Sequence, residues 1–170
     1  MLIYVQGSAL NRIEKKATVI AHICNDVGVW GAGFVMALSS RWTEPQFMYL
    51  AEFMKPVPPK LGETIWTPVE YGVVVANMIA QQGVKPRPSN LPLVNYFALN
   101  KTLDKVGDFC VRSKAVVQMP RIGCGIGGGD WNVVEGIIQD KLVKKGVRVY
   151  VCDLPEEEKK WPGTKYALSL

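Results

Sequence analysis

Two segments hold the residues whose types and spacing could do chemistry. The first, "HICNDVGVWGAGF", covers residues 22–34, and the second, "RIGCGIGGGDW", covers residues 121–131. Five of the seven residues 123–129 are glycine. Such a run costs backbone entropy, and its use is to let the main chain approach something closely. A glycine-bearing turn that leads into a helix offers N–H groups and a helix N-terminus, which together make an anion site. His22 opens the first segment and is the only histidine in the chain. At a strand's end, facing a ligand crevice, an imidazole is a candidate general acid or base because it titrates near neutral pH. Asn25 and Asp26 follow, and both residue types also form turns. Trp30, Phe34 and Trp131 flank the segments; such rings stack on a sugar or base, or bury against a sheet. Arg121 reads as half of a structural ion pair, because main-chain amides already suit a phosphate.

Several familiar signatures fail on context. Gly123, Gly125 and Gly128 match G-x-G-x-x-G, but a dinucleotide site also needs a βαβ unit and an acidic residue about 20 positions on. Asp140 comes too early and Asp153 lies beyond the last strand. A Walker-type loop needs Lys and Ser or Thr where this chain has Gly129 and Asp130. A cysteine phosphatase loop needs an arginine six residues after its thiolate. Cys124 has Asp130 there and Cys24 has Trp30, so Cys124 reads as a small residue packed in a tight loop. The four cysteines, Cys24, Cys110, Cys124 and Cys152, form no C-x-x-C pair. With one histidine they give no zinc spacing.

Strands must precede these segments and helices must follow them. Apolar, β-branched runs predict strands over residues 2–5 and 17–23. Helical segments are predicted over 31–41 and 44–54, then a proline-rich turn, "KPVPPKLG". "ETIWTPVEY" and "GVVVANMIA" predict a hairpin joined near Tyr71 and Gly72. After the polar loop "QQGVKPRPSN", apolar spacing predicts a helix over 91–106, capped by Ser89 or Asn90. "KAVVQM" is a buried strand, Asp130 caps a helix over 131–145 that ends at Gly146, and "VRVYVC" is the last strand. Alternating strands and helices mean an α/β fold with a largely parallel central sheet. In such folds ligands sit beyond the carboxyl ends of the strands, where both glycine segments fall.

Composition narrows the setting. The 170 residues fit one domain, 48% of them apolar and 21% charged, as in ordinary globular proteins. No apolar run approaches the about 20 residues of a membrane-spanning helix, and the N-terminus lacks a secretory pattern. A cytoplasmic setting with reduced thiols is the expectation. The net charge of +5 favours anionic partners in general. Without basic residues interleaved with aromatics, it reads as a mildly basic solvated surface.

Taken in order, "YVQGSALN", "IAHICNDVGVWGAGFVMALSSRW", "MPRIGCGIGGGDWNVVEGII" and "VRVYVCDL" resemble a macro domain, the ADP-ribose-binding fold. The resemblance covers residues 1–154 and leaves 155–170 as a C-terminal tail. It implies a three-layer α/β/α architecture around a mixed, mostly parallel sheet. The first glycine segment is similar to that of the ADP-ribose-1″-phosphate phosphatase branch. The second is similar to those of that branch and of the related glycohydrolases, which remove terminal ADP-ribose from proteins. The resemblance implies that Ser8 and Ala9 lie at the adenine and that Asn25 binds and orients the distal ribose. Gly31, Ala32, Gly33 and Phe34 would wrap that ribose and its phosphate. Gly123, Cys124, Gly125, Ile126, Gly127 and Gly128 would hold the diphosphate. His22 would act at the 1″ position, and Lys85 in "KPRPSNL" matches the catalytic lysine of the glycohydrolase branch.

Two departures from the family pattern bear on the reaction. Ser8 stands where the family has an aspartate for the adenine amino group. Gly127 stands where the glycohydrolases have an aspartate and many relatives have an aromatic; its small size suggests an opened loop with room for a terminal phosphate. The resemblance therefore implies a hydrolase of ADP-ribose-1″-phosphate, needing no cofactor, metal or membrane. The alternatives are a hydrolase acting on ADP-ribosylated protein or nucleic acid, and a reader that only binds ADP-ribose.

Overall fold

The computed structural model describes residues 1–155; the "EEEKK" segment and the rest of the expected tail lie outside the described residues. The strands are β1 (Leu2–Gln6), β2 (Thr18–Asn25), β3 (Thr64–Glu70), β4 (Val73–Gln81), β5 (Val116–Met119) and β6 (Val149–Asp153). They form one sheet in the order β1-β6-β5-β2-β4-β3. Every neighbouring pair is parallel except the β3–β4 hairpin. Helices α1 (Phe34–Arg41) and α2 (Glu44–Phe53) cover one face, and α3 (Tyr96–Ser113) and α4 (Trp131–Ile138) cover the other. The expected three-layer α/β/α arrangement and mixed sheet are what the chain forms. No helix among the described residues is long and apolar enough to cross a membrane.

Burial explains the pattern. β2 and β5 lie inside the sheet with a layer on each face, so they read as near-continuous apolar runs. Along β2 the side chains alternate: Val19, Ala21 and Ile23 pack towards α3 and α4, while Ile20 and Cys24 pack towards α1 and α2. His22 shares the second set's face. Leu99, Leu103, Val106 and Cys110 give α3 one buried stripe at helical spacing. Full burial of each aliphatic residue in it contributes roughly 1.5–3 kcal/mol. Two amides punctuate these apolar strands. Gln118 of β5 is fully buried; it donates to the carbonyls of Ala9 (3.0 Å) and Asn11 (2.9 Å) and accepts from the Ile13 amide (2.9 Å). The other is Asn77 of β4.

Two expected helices differ in extent. α3 starts at Tyr96, capped by Asn95, whose side chain accepts from the Ala98 amide (2.9 Å). The helix starts past both expected capping positions, Ser89 and Asn90. The stretch before it is extended and tied to the end of β4: Gln82 N–H donates to Leu93 O and Asn95 N–H to Ala80 O, both at 2.8 Å. α4 begins where expected, with Asp130 accepting from the Asn132 amide (2.8 Å), but continues as a π-helical turn, Gln139–Val143. α3 presses on that turn at Gly107, where any Cβ would collide with the Lys141 carbonyl.

Candidate functional site

The loops leaving β2 and β5 face each other at the carboxyl edge of the sheet. The first is built around Asn25. Its Oδ1 accepts from the amides of Val27 (3.2 Å) and Val29 (3.1 Å), and its Nδ2 donates to the Val29 carbonyl (2.6 Å). The buried Tyr49 hydroxyl also reaches the Asn25 carbonyl (2.8 Å) and Oδ1 (2.9 Å). Asp26 ties this loop to the next: its amide donates to Gln81 O (3.0 Å) and its Oδ1 accepts from the Gly83 amide (2.7 Å). Trp30 Nε1 donates to Ser39 Oγ (2.7 Å) and pins the loop to α1.

The second loop holds itself with main chain. Gly129 N–H donates to Gly123 O (2.8 Å), Gly128 N–H to Gly125 O (2.9 Å), and Gly127 O accepts from the Val94 amide (3.0 Å). A Cβ on Gly127 would stand 2.6 Å from the Gly123 carbonyl oxygen, and one on Gly129 would stand 2.7 Å from the same atom. Gly127 is therefore not an opening. The Gly123 carbonyl fills the space, and the expectation of added room for a terminal phosphate there is corrected. Arg121, before the loop, is paired as expected: its guanidinium meets both Asp153 oxygens at 2.8 Å and lies over the rings of Tyr4 and Trp131.

Both loops leave donors unspent. The amides of Gly125, Ile126 and Gly127 make no hydrogen bond among the described residues, nor do those of Ala32 and Gly33. α1 begins just after them with no side-chain cap; Met36 N–H turns back to Gly33 O (3.1 Å), and the amides of Phe34 and Val35 make no hydrogen bond among the described residues. An open cleft separates the two sets. It is lined by His22 and Ile23 of β2, residues 32–35, Gln81 of β4, and Pro120, Ile122, Gly123, Gly125, Ile126 and Gly127. No residue in this lining carries a formal charge.

His22 lies in the wall of the cleft, 1% exposed. Its ring meets Trp30 edge-on at 5.8 Å and Phe34 at 5.6 Å, and Nε2 is 2.5 Å from Asn77 Oδ1. Burial pushes its pKa down to about 4, against the opposing hydrogen bond to Asn77, so the ring is neutral at pH 7. Burial also pushes the neighbouring Cys24 thiol well up, and that of Cys124 up to about 11. Both sulfurs are protonated thiols near neutral pH, which removes thiolate chemistry from the site.

The structure brings together eight of the residues singled out in the sequence: His22, Ala32, Gly33, Phe34, Gly123, Gly125, Ile126 and Gly127. Ser8, Ala9, Asn25, Gly31, Lys85, Cys124 and Gly128 lie outside the cleft lining. Ser8 Oγ accepts from the Leu10 amide (3.2 Å), and Ala9 is buried with its carbonyl on Gln118. Asn25 Oδ1 is taken up by its own loop and Tyr49. Gly31 and Gly128 are exposed, and the Cys124 thiol faces Ile122 O (3.4 Å). Lys85 is exposed on the loop after β4. Asp130, the nearest carboxylate to the second loop, is occupied as the α4 cap. Sequence reasoning missed Gln81, Ile23, Val35, Pro120 and Ile122 in the lining, and Tyr49 and Asn77 behind it. Asn77 did leave a signal, a lone amide within the apolar run "GVVVANMIA".

Comparison with known proteins agrees with this geometry. No family model matches the chain. A protein of unknown function from Bacteroides thetaiotaomicron superposes with a TM-score of 0.88 at 41% identity, covering 91% of this chain and 98% of that one. ADP-ribose 1″-phosphate phosphatase of Lodderomyces elongisporus is 28% identical over 163 residues, spanning 88% of this chain and 98% of its own length. A macrodomain protein from Streptomyces coelicolor is 39% identical with a TM-score of 0.80, over 90% of this chain and 99% of that one. On that identity, and on two glycine loops set across one cleft at the carboxyl edge of a mixed sheet, the chain belongs to the macrodomain family.

Proposed function

We propose that the cleft binds ADP-ribose and that the protein hydrolyses ADP-ribose-1″-phosphate to ADP-ribose and phosphate. One observation carries this reading: unspent main-chain N–H groups from two loops face one another across an uncharged cleft. Such preorganised donors suit a diphosphate and a terminal phosphoryl group, and they stabilise charge that develops in the transition state. The likeness to the phosphatase from Lodderomyces elongisporus supports the choice of reaction. In this reading the amides of residues 125–127 and the start of α1 hold the phosphates. Water attacks the terminal phosphorus as neutral His22 takes its proton. The bond between phosphorus and the 1″ oxygen breaks, phosphate leaves, and the proton passes to the ribose oxygen. Asn25 acts by shaping the first loop that wraps the ribose. The lysine-based reading has less support: Lys85 lies outside the cleft lining, which contains no carboxylate.

The test pairs calorimetry with a phosphate-release assay. Wild type binds ADP-ribose and releases phosphate from ADP-ribose-1″-phosphate. His22→Gln lowers kcat by about 100-fold or more, the usual worth of a positioned acid–base group, and leaves ADP-ribose affinity within a few fold. Binding without phosphate release makes the protein a reader, release that is lost in Lys85→Ala moves the chemistry to that lysine, and no binding at all refutes the site.

A further inference from the structure

Asn77 stands opposite His22 in the parallel register of β2 and β4, on the same face of the sheet, and is fully buried. The two ends of its amide have different partners. Nδ2 donates to the Pro45 carbonyl, in the first turn of α2, at 2.9 Å; Oδ1 meets His22 Nε2 at 2.5 Å. A carbonyl only accepts, so the NH₂ end must face Pro45, and this fixes which way the amide points. Oδ1 is then an acceptor with no hydrogen of its own. His22 Nε2 must carry the shared hydrogen, and a neutral imidazole has only one.

We infer that Asn77 is a positioning residue that locks His22 as the Nε2–H tautomer and leaves Nδ1, 3.9 Å from the Cys24 sulfur, as the ring's one proton-accepting atom. This rests on His22 being the base. The lock extends beyond the strand pair, because α2 holds Asn77 and Asn77 holds the ring. The choice of amide also has a chemical sense. A carboxylate at position 77 would accept the same hydrogen but would favour the imidazolium; an amide orients the ring without adding charge. The groups packed on the ring are the main chain of Ile23, Trp30 of the first loop, Phe34 of α1, Cys24 of β2 and Asn77 of β4, with Tyr49 of α2 behind Trp30. None is charged near neutral pH, so burial holds the ring neutral and a carboxylate at position 77 would be the one charge set against it.

The chain's single histidine makes the test direct. Long-range ¹H–¹⁵N spectra of protein labelled at histidine report tautomer and titration without any substrate. Wild type should show one neutral ring with a protonated Nε2 and a downfield Nε2 proton. Asn77→Ala should lose that proton signal, mix the two tautomers, and lower kcat by about 10-fold or more with KM nearly unchanged. Asn77→Asp should restore the downfield proton, raise the pH at which the ring titrates, and move the acid limb of kcat upward with it. If Asn77→Ala does not fold, wild type and Asn77→Asp still decide the matter through tautomer and titration. A wild-type ring protonated at Nδ1, or spectra unchanged in both variants, overturns the inference. Spectra as expected from a protein that releases no phosphate keep the lock and refute the phosphatase reading alone.

Discussion

The two loops that frame the cleft reach the same end by opposite means. The first is shaped by side chains: Asn25 folds it, Tyr49 backs it, and Asp26 and Trp30 fasten it to its neighbours. The second is shaped by its own main chain, with Gly127 and Gly129 closed onto the Gly123 carbonyl. A side-chain scaffold spends polar groups that a motif reader assigns to the ligand. A glycine scaffold spends nothing but conformational freedom. Either way the loop keeps its N–H groups in hand, and those are what the cleft presents.

Substitutions separate these two designs. Gly127→Asp supplies the carboxylate of the glycohydrolase pattern, yet its Cβ has no room beside the Gly123 carbonyl. The second loop must open, and affinity for ADP-ribose falls by about 100-fold or more, as loss of several charge-assisted contacts implies; calorimetry reads it. Acid acts instead on the wall that both loops share. Folded His22 holds its proton less tightly than the unfolded chain does, so unfolding takes up a proton between about pH 6.5 and 4, and stability is lost as pH falls through that window. The loss approaches about 3 kcal/mol by pH 4, and denaturant unfolding of His22→Gln should lack this component. Asn25→Ala removes the organiser of the first loop and leaves Tyr49 without its side-chain acceptor. It should cost about 2 kcal/mol, while Tyr49→Phe, which leaves Asn25 its amide partners, should cost about 1 kcal/mol. If these two variants cost nothing, the first loop does not depend on its side chains and the contrast fails.

Much of the fold was legible because burial imposes periods on the sequence. β2, β5 and the β3–β4 hairpin follow from apolar runs and their breaks, and the Asp130 cap from its residue type. The start of α3 was not legible. Leu91 and Val94 have helical spacing, but Val94 pairs with Gln81 and the Gly127 carbonyl, contacts that exist only after the chain has folded. In the site, glycine content announced both loops. The meaning of Gly127 did not follow, because a missing side chain reads the same whether the space is vacant or filled. Asn25 had two readings as a residue type, and only the positions of Val27, Val29 and Tyr49 give its oxygen to the loop. Asn77 and His22 meet through strand register, which no local pattern encodes.

The absence of formal charge from the cleft lining has a consequence for how ionic strength acts. An anion held by lysines and arginines releases ions from their surroundings as it binds, and its complex loosens as salt is added. Here the proposed diphosphate would be met by peptide dipoles, which have no counterions to give up. The net charge of +5 still attracts an anion from a distance, through a field that salt screens within about 8 Å at physiological strength. Added salt would therefore slow the ligand's arrival and leave its residence time almost untouched.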